Sequence, residues 1–204
     1  MLEALDLECV RGERTLFSGL DFTLERGALL RVTGRNGSGK TSLLRIVCGL
    51  TPPAQGEVRW DGIDVRKLGE EYARQLVYVG HANALKDDLT ARENLLISSE
   101  LAGLATTDDQ AQDALDRFGV GHCAPLPARV LSQGQRRRTA LARLALSPSV
   151  PLWVLDEPFT ALDTAAVDDL QALIGSHVAR GGSIVLTTHQ EVAIAGVAGR
   201  TLDL

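Results

Sequence analysis

The sequence predicts an α/β protein built on a mostly parallel sheet, and three observations carry that prediction. Short apolar runs rich in branched residues occur at Ala28 to Thr33, Leu152 to Leu155 and Ile184 to Thr188, as in strands covered on both faces. A pattern of helical period fills the interval between the last two, which makes a helix crossing between parallel strands. The stretch from residue 82 to about 150 holds no strand-like run and reads as a helical lobe inserted into that core.

Taken in order, Leu5, Leu7 and Cys9 and then Leu20, Phe22 and Leu24 alternate as in half-buried strands, with Gly12 and Gly27 marking turns, so the chain opens on a small sheet. The run Ala28 to Thr33 leads into a glycine-rich loop, and Ser42-Leu-Leu-Arg-Ile-Val continues as a helix. In the helical lobe, Thr90-Ala-Arg-Glu93 and Thr107-Asp-Asp-Gln110 each set a hydroxyl at a helix cap with an acceptor three residues on. Leu131 to Gln135 precede a further helix with Leu141, Leu144 and Ala145 on one face. After Leu152 to Leu155, Asp163 can cap a helix in which Val167, Leu170, Leu173, Ile174 and Val178 recur until Gly181-Gly182 stops it. The expected organisation is one domain over 1–204, with 1–81 and 151–204 forming the α/β core and its small sheet and 82–150 the helical lobe.

Composition bounds the function. A chain of 204 residues is one domain, and folding would bury roughly 70% of its extended surface. Hydrophobic residues at 45% and charged residues at 23% are the balance of a globular protein. No apolar run reaches the roughly 18 residues of a membrane span. Acidic residues punctuate Met1 to Glu8 where a secretory signal would be basic and then apolar, so a cytoplasmic location is expected. The net charge of −5 gives no general attraction to nucleic acid or to an anionic membrane. Cys9, Cys48 and Cys123 are far apart, without metal-type spacing, and read as reduced thiols; His122-Cys123 is a lone pair of the kind common in loops.

The motif that carries most chemistry is Gly34-Arg35-Asn36-Gly37-Ser38-Gly39-Lys40-Thr41, which fits G-x-x-x-x-G-K-[ST] between a strand and a helix. Its glycines let successive N–H groups and the helix N-terminus point at phosphate oxygens. Lys40 brings a charge to the β and γ phosphates, and the Thr41 hydroxyl suits Mg²⁺. Asp156 and Glu157 follow an apolar run, at the strand edge where open α/β sheets bind ligands. Asp156 can hold Mg²⁺ through water and Glu157 can polarise the water that attacks the γ-phosphate, although such a pair can also simply solvate a strand end. His189 ends the run Ile184 to Thr188 and joins the same edge. Ser132 and Gly134 at a helix start offer a hydroxyl and free N–H groups to an anion, or serve only as a cap. Arg136, Arg137 and Arg138 read as a solvated face rather than an RNA site.

Together these segments resemble the nucleotide-binding domain of ATP-binding cassette proteins, in that family's order and across nearly the whole chain. The resemblance implies a P-loop NTPase core with a mostly parallel sheet, an antiparallel N-terminal β subdomain and an inserted helical subdomain. It makes Gly34 to Thr41 the Walker A motif, with Ser42 also at the nucleotide, and Leu131 to Gln135 the signature motif. Asp156 and Glu157 become the end of Walker B, Thr160 to Asp163 the D-loop, and His189 the switch histidine. ATP and Mg²⁺ follow as cofactors, with Thr41 and Asp156 as metal-site residues and Lys40, Glu157 and His189 as catalytic ones. Two copies are expected to close head to tail, bringing Ser132, Gly134, Gln135 and Asp163 of one chain to the nucleotide held by the other.

Two positions depart from the family pattern. His81, in Val77-Tyr-Val-Gly-His-Ala, stands where the family has the glutamine of its Q-loop. A neutral imidazole nitrogen can accept a bond from a metal-bound water but lacks the amide's paired donor and acceptor. No aromatic residue follows the first strand to stack on adenine, and Arg11 or Arg14 can stack a guanidinium there instead. These departures, with SGLDFTLERG, YVGH followed by LTARENL, LSQGQRRRTALARL and LWVLDEPFTALD, resemble one branch, the ATP-binding subunits of cytochrome c maturation complexes, or haem exporters. That resemblance implies a peripheral ATPase on the cytoplasmic face of a bacterial inner membrane, coupled to integral membrane subunits that handle haem. ATP would drive haem transport or release of a haem-loaded chaperone, and this chain would meet haem only indirectly.

Other readings are a cassette ATPase for another transported substrate and a soluble cassette acting on ribosomes or DNA, whose usual signs are paired cassettes or a coiled-coil insertion. A regulatory module that binds ATP without turnover would lack Glu157 or His189. A GTPase would carry an N-K-x-D stretch, which is absent.

Overall fold

The computed structural model describes residues 1–189, 197 and 199–204. The first part of the chain forms β1 (Leu2–Arg11), β2 (Arg14–Leu24), β3 (Leu29–Thr33), α1 (Lys40–Val47), β4 (Gln55–Trp60), β5 (Ile63–Asp64), the short helices α2 (Val65–Leu68) and α3 (Glu70–Ala73), and β6 (Leu76–Val79). Then come α4 (Ala91–Leu101), α5 (Asp108–Arg117), α6 (Gln133–Ala142), β7 (Leu152–Asp156), α7 (Thr164–Ala179), β8 (Ser183–Thr187) and β9 (Gly199–Asp203).

The strands form two sheets. An antiparallel sheet has the order β2-β1-β4-β5, and a parallel sheet has the order β6-β7-β8-β3-β9. The three apolar runs of the sequence become β3, β7 and β8, which lie side by side in the parallel sheet. All of β7 and β8 is buried, which explains their unbroken hydrophobicity.

Alternation splits the parallel sheet between two cores. Leu152, Val154 and Val185 face one cluster, shared with Leu43, Leu44 and Val47 of α1 and with the inner face of the antiparallel sheet. Trp153, Leu155, Ile184 and Leu186 face the other, filled by Leu170 and Ile174 of α7 and by the helices between β6 and β7. The sheet is thus a wall with apolar packing on both sides.

β1 departs from simple alternation. Its buried residues are Leu2, Ala4, Leu7 and Cys9, because a bulge with Asp6 at φ +49° shifts the phase between Ala4 and Leu7. Leu5 is therefore only half-buried and does not share an inner face with Leu7 and Cys9. Opposite the bulge stands Gly56 at φ +80°, where a Cβ would lie 2.3 Å from the carbonyl oxygens of Leu5 and Asp6.

Between β6 and β7 the described chain is helical, and its helix starts are set by local chemistry. Thr90 and Glu93, then Thr107 and Gln110, form reciprocal capping boxes at α4 and α5. The buried Asn94 accepts from Lys86 N–H at 2.7 Å and donates to the carbonyls of Lys86, Leu89 and Thr90, which ties down the loop before α4. α6 ends at Ala142, earlier than the periodicity suggests. Leu144 and Ala145 sit in tighter turns, with Leu144 N–H on Leu141 C=O at 2.9 Å and Ala145 N–H on Ala142 C=O at 3.1 Å. Leu144 is still fully buried by them.

Asp163 caps α7, accepting from Ala166 N–H at 3.0 Å. Within α7, His177 is buried flat against Trp153, with ring centroids 3.8 Å apart. The three cysteines are free and buried, and burial pushes the thiols of Cys48 and Cys123 up. Among the described residues no cluster of histidine, cysteine and carboxylates has metal-binding geometry.

Candidate active site

The carboxyl ends of four neighbouring strands of the parallel sheet, β6, β7, β8 and β3, lead into His81, Asp156-Glu157, His189 and the glycine loop respectively. Most of these residues line one cleft of about 680 Å³, which also takes in Arg11, Arg14 and Leu16 from the β1–β2 hairpin and Thr160. Adjacent parallel strands put their ends within reach of a single ligand, which is why residues so far apart in sequence meet.

The loop curls because Gly34, Gly37 and Gly39 take φ of +139°, +81° and +111°. Gly34 is also sterically required, since a Cβ there would come 2.7 Å from both Ser38 Oγ and Leu204 O. Gly39 caps α1 without any side-chain hydrogen bond, and the first turn of α1 carries no acidic residue. Its N–H groups are therefore left to an anion. Lys40 Nζ donates to Gly34 O at 2.8 Å and Arg35 O at 3.2 Å, so the ammonium lies folded along the loop. Asn36, Gly37, Gly39, Thr41 and Ser42 line the cleft, while Ser38 Oγ is buried with no partner.

Beside the loop, Thr41 Oγ1 donates to Asp156 Oδ2 at 2.8 Å. Asp156 is 2% exposed, and its other oxygen accepts from Thr187 Oγ1 at 2.7 Å. The Thr187 hydroxyl in turn accepts from Glu157 N–H at 2.9 Å. Glu157 holds φ at +48°, a strained value for a residue with a Cβ. Its Oε1 lies 3.3 Å from His189 Nε2 and has no hydrogen bond of normal geometry, and its Oε2 accepts from His189 N–H at 3.3 Å. This donor set fits a Mg²⁺–phosphate group: a hydroxyl paired with a buried carboxylate, a lysine satisfied only by loop carbonyls, and a second carboxylate set against His189.

Ser132, Gly134, Gln135 and Asp163 lie outside the cleft. Ser132 Oγ accepts from Gln135 N–H at 3.2 Å and Ser132 N–H donates to Gln135 Oε1 at 2.9 Å, a third capping box. Gly134 packs close to the segment that leads into α7 of its own chain, where a Cβ would sit 3.3 Å from Ala161 O. The Asp163 carboxyl is held below the usual range by Ala166 N–H first and then by Arg138. His81 is exposed at the cleft wall.

The arginine run is not a solvated face. Arg136 donates to Ala128 O at 2.8 Å and pairs with Asp87, Arg138 pairs with Asp163, and Arg137 is 4% exposed with its guanidinium on main-chain carbonyls. Sequence reading missed Arg137 and Thr187 as site residues. Thr187 carried a signal, a hydroxyl directly after the apolar run Ile184 to Leu186 in the strand beside the one that ends in Asp156; Arg137 carried none, since a helix start leaves the facing of three consecutive arginines open.

Comparison with known proteins gives concordant matches. Residues 17–160 match the model of the ABC transporter family. A Nitrosospira multiformis protein called cytochrome c biogenesis ATP-binding export protein CcmA is 57% identical over 203 residues, covering 100% of this chain and 98% of that one. The protein of the same name from Dechloromonas aromatica is 53% identical over 204 residues and covers both chains fully, 100% and 100%. Among solved structures, an ATP-binding subunit of an ABC transporter has a TM-score of 0.83 at 26% identity, covering 92% of this chain and 79% of its own. A dimeric ATP-binding cassette described as a post-hydrolysis state with ADP and Pi has a TM-score of 0.82 at 25% identity, covering 93% and 88%.

Proposed function

The chain belongs to the ATP-binding cassette transporter family, and from that membership we propose that it hydrolyses ATP with Mg²⁺ as the nucleotide-binding subunit of a cytochrome c biogenesis export complex. The meeting of four adjacent strand ends in one cleft is the observation that carries the catalytic part of this reading.

In it, Gly34 to Ser42 hold the phosphates through backbone N–H groups, and Lys40 exchanges its loop carbonyls for the β and γ oxygens. Thr41 and Asp156 hold Mg²⁺, which supplies charge neutralisation when bound. Glu157 is the general base: its carboxylate takes the proton of the water that attacks the γ-phosphorus as the bond to ADP breaks. His189 sits against that carboxylate and orients it. Arg11 or Arg14 stacks on the base, and His81 stands in the place of the family's Q-loop glutamine.

A second copy closing head to tail is supported by the position of Ser132, Gly134, Gln135 and Asp163 away from the chain's own cleft. We assign residues 1–81 and 151–204 to the nucleotide core and 82–150 to a lobe that reaches the partner. The names of the relatives support cytochrome c biogenesis as the process, with integral membrane subunits as partners and haem met only through them. No described helix is long and apolar enough to cross a membrane, which fits a subunit held at the cytoplasmic face of the inner membrane by others. The net charge of −5 argues against nucleic acid as a partner.

Glu157→Gln tests the assignment. ATP binding should persist while steady-state hydrolysis slows on the order of 10²- to 10⁴-fold, as for a lost general base. Unchanged turnover would remove Glu157 from that role.

A further inference from the structure

Arg137 lies on α6, the helix that Ser132 caps, yet its guanidinium reaches the catalytic strand end. Nη2 donates to the carbonyls of Asp156 at 2.9 Å and Glu157 at 2.8 Å. Nη1 donates to Gly80 O at 2.8 Å and Asn83 Oδ1 at 3.3 Å, the residues that bracket His81. None of these four acceptors is a carboxylate, and Nε is buried without a partner, so a charged group has been drawn into the interior chiefly to hold main chain. Burial pushes the guanidinium pKa down, while the nearby charges of Asp156 and Glu157 favour its charged form.

The consequence falls on Glu157. A φ of +48° persists in a residue with a Cβ only where its surroundings over-determine it. Thr187 Oγ1 holds the Glu157 N–H at 2.9 Å and Arg137 holds its C=O at 2.8 Å, so both sides of the strained residue are clamped. The direction of the Glu157 carboxylate follows from that backbone. One clamp comes from the sheet and the other from the helix that carries the signature motif.

We propose that Arg137 is a positioning residue for hydrolysis, which aims the Glu157 carboxylate by gripping its main chain and makes that aim depend on where α6 sits. The proposal rests on Glu157 acting as the general base. A movement of α6 that loosens the two carbonyl bonds lets the Asp156–Glu157 segment relax and disarms the base while the phosphate loop stays intact. Arg137 thereby links the helix facing a second copy to chemistry in its own chain's cleft.

The test is Arg137→Gln and Arg137→Lys in the full chain, each alone and combined with Glu157→Gln. Binding of trinitrophenyl-ATP should change less than about 2-fold and KM little, while kcat falls about 10- to 100-fold, the scale of a catalytic group misplaced by roughly 1 Å. Lysine, keeping the charge without the fork, should recover only part of the rate. Once Glu157→Gln has removed the base, adding either Arg137 change should slow the enzyme less than about 2-fold further, because groups that act as a unit are not additive. Multiplicative losses, parallel losses of binding and kcat, or unchanged kcat in a folded variant would overturn the proposal. Loss of the circular dichroism of the fold in both variants would do the same, making Arg137 a stability residue. If Glu157→Gln itself leaves turnover unchanged, the failure lies with the general-base reading instead.

Discussion

Single residues hold their roles here through partners remote in sequence, and His177 shows the same principle outside the active site. It is 1% exposed, stacked on Trp153, and its ring nitrogens are buried without a hydrogen bond of normal geometry. Burial first, and Arg180 second, lower its pKa from 6.5 to about 4. The unfolded chain therefore takes up this proton at a higher pH than the folded one. Stability from this group is complete above the unfolded value of 6.5 and is lost as pH falls toward about 4. Urea midpoints measured between pH 7 and pH 4.5 should fall more steeply for the parent than for His177→Phe, which has no proton to gain. Gly182 is part of this packing, since a Cβ there would lie 2.2 Å from His177 Nε2. From sequence, His177 is only one more residue on a helix; its burial follows from α7 lying against the sheet.

At the scale of elements, what could be read in advance is what local chemistry decides. The capping boxes at Thr90 and Thr107, the start of α7 at Asp163 and the three buried strands depend on neighbours within a few residues. β4, β5, β6 and β9 carry mixed or short patterns and take strand form because an adjacent strand offers its ladder, so they were not legible. The β1 bulge belongs to the same class. Asp6 and Gly56 face one another across two strands, and nothing near either residue shows it. Gly56→Ala should destabilise the fold by about 2 to 4 kcal/mol, because its Cβ would meet backbone oxygens that cannot step aside and its φ is left-handed. Equilibrium urea unfolding measures this directly, and an effect below about 0.5 kcal/mol would show that the bulge yields easily.

For the whole molecule, the cleft gathers the groups proposed to hold phosphate and metal and to act as base, while Ser132, Gly134, Gln135 and Asp163 stand elsewhere on the surface. If two copies close head to tail, a complete site takes its loop from one chain and its signature segment from the other. Mixing a Lys40→Ala chain with a Ser132→Arg chain should then restore ATP hydrolysis above that of either variant alone, since one site of the mixed dimer is intact. Activity no higher than the sum of the separate variants would count against shared sites. The amino-acid sequence by itself determined the phosphate loop, the carboxylate pair, the helix starts and the buried strands, because each depends on residue type at fixed short spacing. Only the tertiary structure decided that the end of β6 joins the other three strand ends at one cleft, that β1 changes phase at Asp6, and that Arg137 turns inward to hold the backbone of Glu157. Those outcomes depend on which elements pack side by side, and that is set by burial across the whole chain rather than by neighbours along it.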